Sequence, residues 1–292
     1  DHTDPILQEM CRDFRSVGLG KLGAAIRYFR RNEVWRATMA GKIHKVLLFQ
    51  RLEWLKHLPD WRCVRTFYPH WVTKTKDRKD DTLLNAIIDA YAKDGIHFAP
   101  ATDFAPELLV KEGLLTGKSI DTQLQNDIEA GWKVAKQMGS MDIGQSITIK
   151  DGTVIAVEAI EGTDACIERT GQLCRKGGWT LVKVSKPDQD MRFDVPTIGP
   201  QTIQRVRQAG GRAIVIEADK TIIVGEAEMI TAARQAGITI AAATRTHAIS
   251  FRLFILLPST RNLPNKARIR YGSRMLERFL RLAISGKLPA LM

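Results

Sequence analysis

From residue 146 to residue 242 the sequence alternates strand-like runs with helical ones, mostly divided by glycines, and few folds accept that order. Ser146–Lys150 and Thr153–Ala159 flank Asp151-Gly152, a pair suited to the positive φ angles of a tight hairpin. Glu161-Gly162-Thr163-Asp164 opens a helix toward Thr170. Thr180–Ser185 and Met191–Val195 read as strands, Gln201–Ala209 as a helix closed by Gly210-Gly211, and Arg212–Glu217 as a strand. Thr221–Val224 is its hairpin partner or a short extension. Glu226–Gln235 is a helix stopped by Gly237, and Ile238–Ala242 is the last strand. This β-α-β-α-β order predicts a mixed, partly parallel sheet covered by helices.

The same texture runs upstream. Leu22–Arg30 has amphipathic spacing, Val34–Ala40 reads as a strand, and Leu83–Tyr91 is a helix entered through Asp80-Asp81-Thr82, acidic residues at the positive end of its dipole. Gly95 ends it and Ile96–Ala99 follows as a strand. Residues 101–119, with Pro106, Gly113 and Gly117, read as a connection, and Asp121–Met138 as a long helix. The 292 residues suffice for two domains. The expectation is α/β throughout: an N-terminal α/β domain over 1–117, a C-terminal α/β domain over 118–244, and a basic tail over 245–292. Each domain is a mixed or mostly parallel sheet covered by helices.

The net charge of +12 suggests nucleic acid until it is located. The tail holds ten Arg and Lys against one acid, Glu277, and so carries +9 of the total. Its prolines, arginines and short apolar bursts share no period, the composition of a disordered extension, although Arg268–Leu282 has the makings of a basic amphipathic helix. The body is nearly neutral and has no basic-aromatic RNA motif, so no nucleic-acid partner is expected. The apolar run Leu253–Leu257 is far shorter than the roughly 20 residues of a membrane span. Cys11, Cys63, Cys166 and Cys174 show no CxxC or zinc spacing and read as reduced structural thiols.

GxSxG, Walker and HExxH motifs are absent, and no histidine lies between His97 and His247. Carboxylate-plus-metal chemistry is therefore favoured over a histidine-centred nucleophile. In MRFDVPTIGP (191–200) a strand reading puts Asp190, Arg192 and Asp194 on one face. A salt-bridge ladder at a sheet edge explains that pattern. So does a site in which Asp194 holds a divalent ion while Thr197–Gly199, ahead of a helix start, cradle a phosphate. Spacing alone leaves both open. Glu158, Glu161 and Asp164 form a second acidic group, with Asp164 or Thr163 also placed to cap the helix. Lys183 and Lys186 are solvated by default and charge partners beside a phosphate. Glu217 ends a strand, where open α/β sheets bind ligands.

MDIGQ (141–145), VIAVEAIEGTDACIERTG (154–171), LVKVSKPDQDMRFDVPTIGPQTI (181–203) and VGEAEMITAARQAGITI (224–240) resemble, in order, the UDP-2,3-diacylglucosamine pyrophosphatase family of lipid A biosynthesis. AGKIHK (40–45) and KDDTLLNAIID (79–89) resemble that family's first domain. The resemblance implies two α/β domains and hydrolysis of UDP-2,3-diacylglucosamine to UMP and 2,3-diacylglucosamine 1-phosphate. It also implies Mg²⁺ or another divalent cation, and a cytoplasmic enzyme peripheral to the inner membrane. A homodimer stays open. The family's essential aspartate falls on Asp194. Beside it, Glu158, Glu161, Asp164 and Glu217 are our own candidates for metal or water-positioning groups. Lys118, Lys186, Arg192, Thr197 and Gly199 are the expected phosphate and sugar contacts. Family members open with a strand and glycine-rich loop ahead of the segment matching residues 1–35, so the first domain is expected to be truncated at its start. A nucleotide-lipid binder without turnover is the second reading.

Overall fold

The computed structural model describes residues 6–18, 20–40, 58–71, 80–117 and 119–244. Lys118, most of AGKIHK and the whole basic tail lie outside them. The described chain divides into a first unit, up to Ala105 with Asp190–Phe193, and a second from Pro106, interrupted at those four residues.

The first unit holds helices α1 (Ile6–Met10), α2 (Leu22–Arg31), α3 (Trp61–Trp71), α4 (Asp80–Ala92) and α5 (Ala101–Phe104). Strands β1 (Arg36–Ala37) and β2 (His97–Phe98) pair in parallel. The sequence reading finds α2 and α4 within a few residues, whereas β1 and β2 form a ladder of only two residues each. Leu22, Ala25 and Ile26 of α2 and Ile87, Ala90 and Tyr91 of α4 recur at helical spacing and pack together with Cys63 and Ile96. Asp60, just ahead of α3, accepts from Cys63 N at 2.9 Å and reaches across to Ala24 N at 3.0 Å. One carboxylate thus caps α3 and ties it to α2, and Gly23 lets it approach: a Cβ there would lie 2.9 Å from Asp60 Oδ2.

The second unit is built on a six-stranded sheet of β3 (Gly113–Thr116), β4 (Ser146–Lys150), β5 (Thr153–Val157), β6 (Trp179–Lys183), β8 (Gly211–Glu217) and β10 (Thr239–Ala243). Its order is β3-β10-β8-β6-β4-β5, with β6, β8 and β10 parallel and the other pairings antiparallel. The hairpin at Asp151-Gly152 is present, with φ of +52° and +74°. β3 lies inside the segment read as a connection. It is a four-residue edge strand, too short and glycine-broken to announce itself. The small strands β7 (Thr197–Ile198) and β9 (Ile222–Ile223) pair in parallel with each other, so Thr221–Val224 is not a partner of β8.

Alternation along the strands sorts the core into two layers. Val182, Val184, Ala213, Val215, Ala241 and Ala243 face α6 (Thr122–Ser140), which covers one side with Leu124, Ile128, Trp132, Ala135 and Met138. Trp179, Leu181, Ile214, Ile216, Ile240 and Ala242 face the other side, packed by α7 (Gly162–Leu173), α8 (Pro200–Gln208) and α9 (Glu226–Ala236). Gly131 brings α6 close, since a Cβ there would stand 2.8 Å from a Val182 methyl.

Asp60→Ala removes an acceptor from two backbone N–H groups. It should lower the stability of the full chain by about 1–3 kcal/mol, read as a reduced urea midpoint.

Candidate functional site

Lys183 ends β6 in register with Trp179 and Leu181, so its stem points to the face packed by α7. It is buried, contrary to the expectation of a solvated lysine. Its Nζ donates to Thr163 Oγ1 at 2.7 Å and lies 3.5 Å from Ser146 Oγ. Thr163, in the first turn of α7, donates in turn to Glu158 Oε1 at 2.9 Å. It is therefore committed to this chain rather than to capping: Glu161 precedes the helix, with no side-chain cap bond. Burial pulls the Lys183 ammonium below the usual lysine range, while Glu158, Asp194 and Asp164 act against that fall. Hydrogen bonds thus join Lys183, Thr163 and Glu158 at the end of β6, and the charges of Asp164 and Asp194 reach the same ammonium.

Glu158 is 7% exposed, and its Oε2 is a buried acceptor with no donor among the described residues. Its backbone is fixed by Glu158 N donating to Ser146 O at 2.8 Å. Gly144 packs so tightly on its carbonyl that a Cβ would come within 2.1 Å.

The segment carrying Asp194 is not the strand that MRFDVPTIGP suggests. Residues 191–193 form a turn and strand pairing starts only at Thr197. Asp190 accepts from Arg192 N at 3.0 Å and from Arg192 Nε at 2.9 Å, which closes the turn and removes the backbone from any ladder. The same guanidinium holds Asp190 below the usual carboxylate range. Arg192 Nη2 also donates to Asn85 Oδ1 at 2.8 Å, so its donors serve structure in the first unit. Asp194 belongs to the second unit and shares no strand face with Asp190.

The other candidates are distributed. Glu161 pairs with Arg169 at 2.8 Å and Asp164 with Arg205 at 3.2 Å. Glu217, at the end of β8, takes Lys136 Nζ on both oxygens, at 2.8 and 2.7 Å, and both the N–H and the hydroxyl of Ser185 at 2.7 Å. Lys186 pairs with Asp142 at 2.6 Å. Thr197 Oγ1 donates to Val195 O at 2.9 Å. Gly199 is extended, and a Cβ there would sit 3.2 Å from Val224 O, so its glycine serves the close approach of β7 to β9.

Among the described residues no three His, Cys, Asp or Glu side chains are grouped to hold a metal ion. An ion completed by phosphate oxygens needs only one or two carboxylates. Asp194, whose charge acts on Lys183, is one such carboxylate. Glu161, Asp164 and Glu217 already carry cationic partners, and Glu158 is engaged by the Lys183–Thr163 chain.

Residues 1–108 match the LpxI N-terminal domain and residues 111–241 the LpxI C-terminal domain. The chain belongs to the LpxI family. A relative from Caulobacter vibrioides, UDP-2,3-diacylglucosamine pyrophosphatase LpxI, is 32% identical over 230 residues, which span 76% of this chain and 79% of that one. The two family domains meet between residues 108 and 111, close to the division of the compact units at Ala105/Pro106.

Sequence reasoning passed over Thr163 except as a cap, passed over Ser146, and undervalued Lys183. The legible signal was parity: a lysine in step with Trp179 and Leu181 on a central strand belongs to the interior.

Lys136→Met would leave Glu217 charged and nearly buried without its ammonium. The expected loss is about 3 kcal/mol of stability, measured by denaturant unfolding against wild type.

Proposed function

We propose that this LpxI-family protein is a hydrolase that cleaves the pyrophosphate of UDP-2,3-diacylglucosamine, giving UMP and 2,3-diacylglucosamine 1-phosphate for lipid A biosynthesis. The relative named for that activity supports the reaction. The observation that carries it here is the buried ammonium of Lys183 set among Glu158, Asp164 and Asp194 at the C-terminal end of a parallel strand, where α/β sheets present their ligands.

In this reading Asp194 is the catalytic carboxylate. With pyrophosphate oxygens it would hold a divalent cation, Mg²⁺ by preference, which supplies charge neutralisation at the attacked phosphate. Lys183 adds a fixed positive charge in a water-poor setting, where it acts more strongly than a surface lysine. Ser185, pinned by Glu217, and Thr197, pinned in β7, hold the two ends of the segment bearing Asp194. Lys186, within that segment, and Thr197–Gly199, from β7 to the start of α8, are the phosphate contacts in this reading. Substrate with two acyl chains leads the same reading to the cytoplasm, against the inner-membrane surface. Among the described residues no helix is long and apolar enough to cross a membrane.

The test is release of UMP from UDP-2,3-diacylglucosamine with Mg²⁺. Asp194→Ala should lower kcat by about a thousandfold or more, and chelation should abolish turnover until Mg²⁺ is restored. Substrate-dependent thermal stabilisation without UMP release would instead mark a binding protein. Full activity in Asp194→Ala would remove the role assigned to that residue.

A further inference from the structure

A lysine ammonium has protons to give and no lone pair to receive one. With Lys183 Nζ 2.7 Å from Thr163 Oγ1, the hydroxyl must accept there. Its single proton is then directed to Glu158 Oε1, 2.9 Å away. Donation runs one way, from Lys183 to Thr163 to Glu158, and fixes the plane of the carboxylate. Thr163 also lies 3.5 Å from Ser146 Oγ, a second hydroxyl on the same side.

That leaves Glu158 Oε2. It belongs to a side chain more than nine-tenths buried, and no described residue donates to it. An acceptor in that state persists in a native protein where water or a ligand supplies the donor. Glu161, Asp164 and Glu217 each have a cation on the carboxylate, whereas Glu158 alone of the four has a buried oxygen with no donor among the described residues. Gly144, packed against the Glu158 carbonyl, and the Glu158 N–H on Ser146 O hold the backbone that aims it.

We propose that Glu158 Oε2 receives the attacking water, and that Lys183 and Thr163 are positioning residues that orient Glu158 for it. This rests on the pyrophosphate-hydrolase reading. The water oxygen bonds to the phosphorus it attacks while one of its protons passes to Glu158. The bond from that phosphorus to the bridging oxygen breaks, and its electron pair leaves on the other phosphate. The proton on Glu158 then returns to solvent as the products depart. Asp194 would hold the cation that neutralises the phosphate charge, and Glu158 handles the nucleophile.

The experiment compares kcat and KM of the full chain with Glu158→Gln, Thr163→Val, Thr163→Ser and the double variant Glu158→Gln/Thr163→Val, with thermal unfolding of each. Glu158→Gln should reduce kcat about a hundredfold or more with KM within about threefold. Thr163→Val should reduce kcat about tenfold, and Thr163→Ser, which keeps the hydroxyl, should recover most of that loss. The double variant should be no slower than Glu158→Gln, because Thr163 acts only through Glu158. Glu158→Gln with near-normal kcat, or losses that multiply in the double variant, would overturn the proposal. If Thr163→Val fails to fold, Glu158→Gln and Thr163→Ser still decide. Loss of turnover in Asp194→Ala beside an active Glu158→Gln refutes this inference and leaves the hydrolase reading intact. A wild type that releases no UMP refutes both.

Discussion

Removing an ammonium group from water costs several kcal/mol unless hydrogen bonds and opposite charge replace the lost hydration. Lys183 imposes that condition on the end of β6, and the second unit is arranged around meeting it. Thr163 must present its hydroxyl from the first turn of α7, which sets where that helix begins. Ser146 and Thr148 of β4 turn hydroxyls toward the same layer, where Thr148 and Thr170 meet at 2.8 Å. Glu158 is held within reach by its N–H bond to β4 and the absent Cβ of Gly144. A polar seam thus runs through the α7 face of β4, while Ile147 and Ile149 of that strand stay apolar against α6.

The segment from Val184 to Pro196 is anchored by a second set of charges. Glu217 accepts both polar groups of Ser185 and the Lys136 ammonium. At the far end, Ile222 N donates to Pro196 O and Val224 N to Ile198 O. Between these anchors the Asp190–Arg192 turn draws four residues into the first unit, and Asp194 returns to the second. The motif that looked like one continuous strand is therefore a tethered excursion. Its carboxylate is set by the anchors rather than by a ladder.

Local signals found what local physics decides. The Asp151-Gly152 hairpin, the mixed sheet and helices α2, α4, α6, α8 and α9 follow from periodicity and turn chemistry, and the structure contains them within a few residues. The Met191–Val195 strand failed because alternation describes side chains, not hydrogen-bond partners. Asp190 captured the Arg192 N–H and closed a turn instead. β9 pairs with β7 rather than β8 because partner choice is tertiary. Likewise, no spacing rule separates a carboxylate with a guanidinium partner, such as Glu161 or Asp164, from Glu158, whose second oxygen has no donor among the described residues. The distinction lies in contacts between elements far apart in sequence. The buried lysine could have been read from its parity with Trp179 and Leu181.

The most direct measurement is a crystal structure of the wild-type chain with UDP-2,3-diacylglucosamine and Ca²⁺ in place of Mg²⁺ to slow turnover. The pyrophosphate should lie at the end of β6, with the cation between its oxygens and Asp194 and an ordered water on Glu158 Oε2 facing a phosphorus. A pyrophosphate bound elsewhere on the chain, with Glu158 Oε2 still lacking a donor, would contradict it.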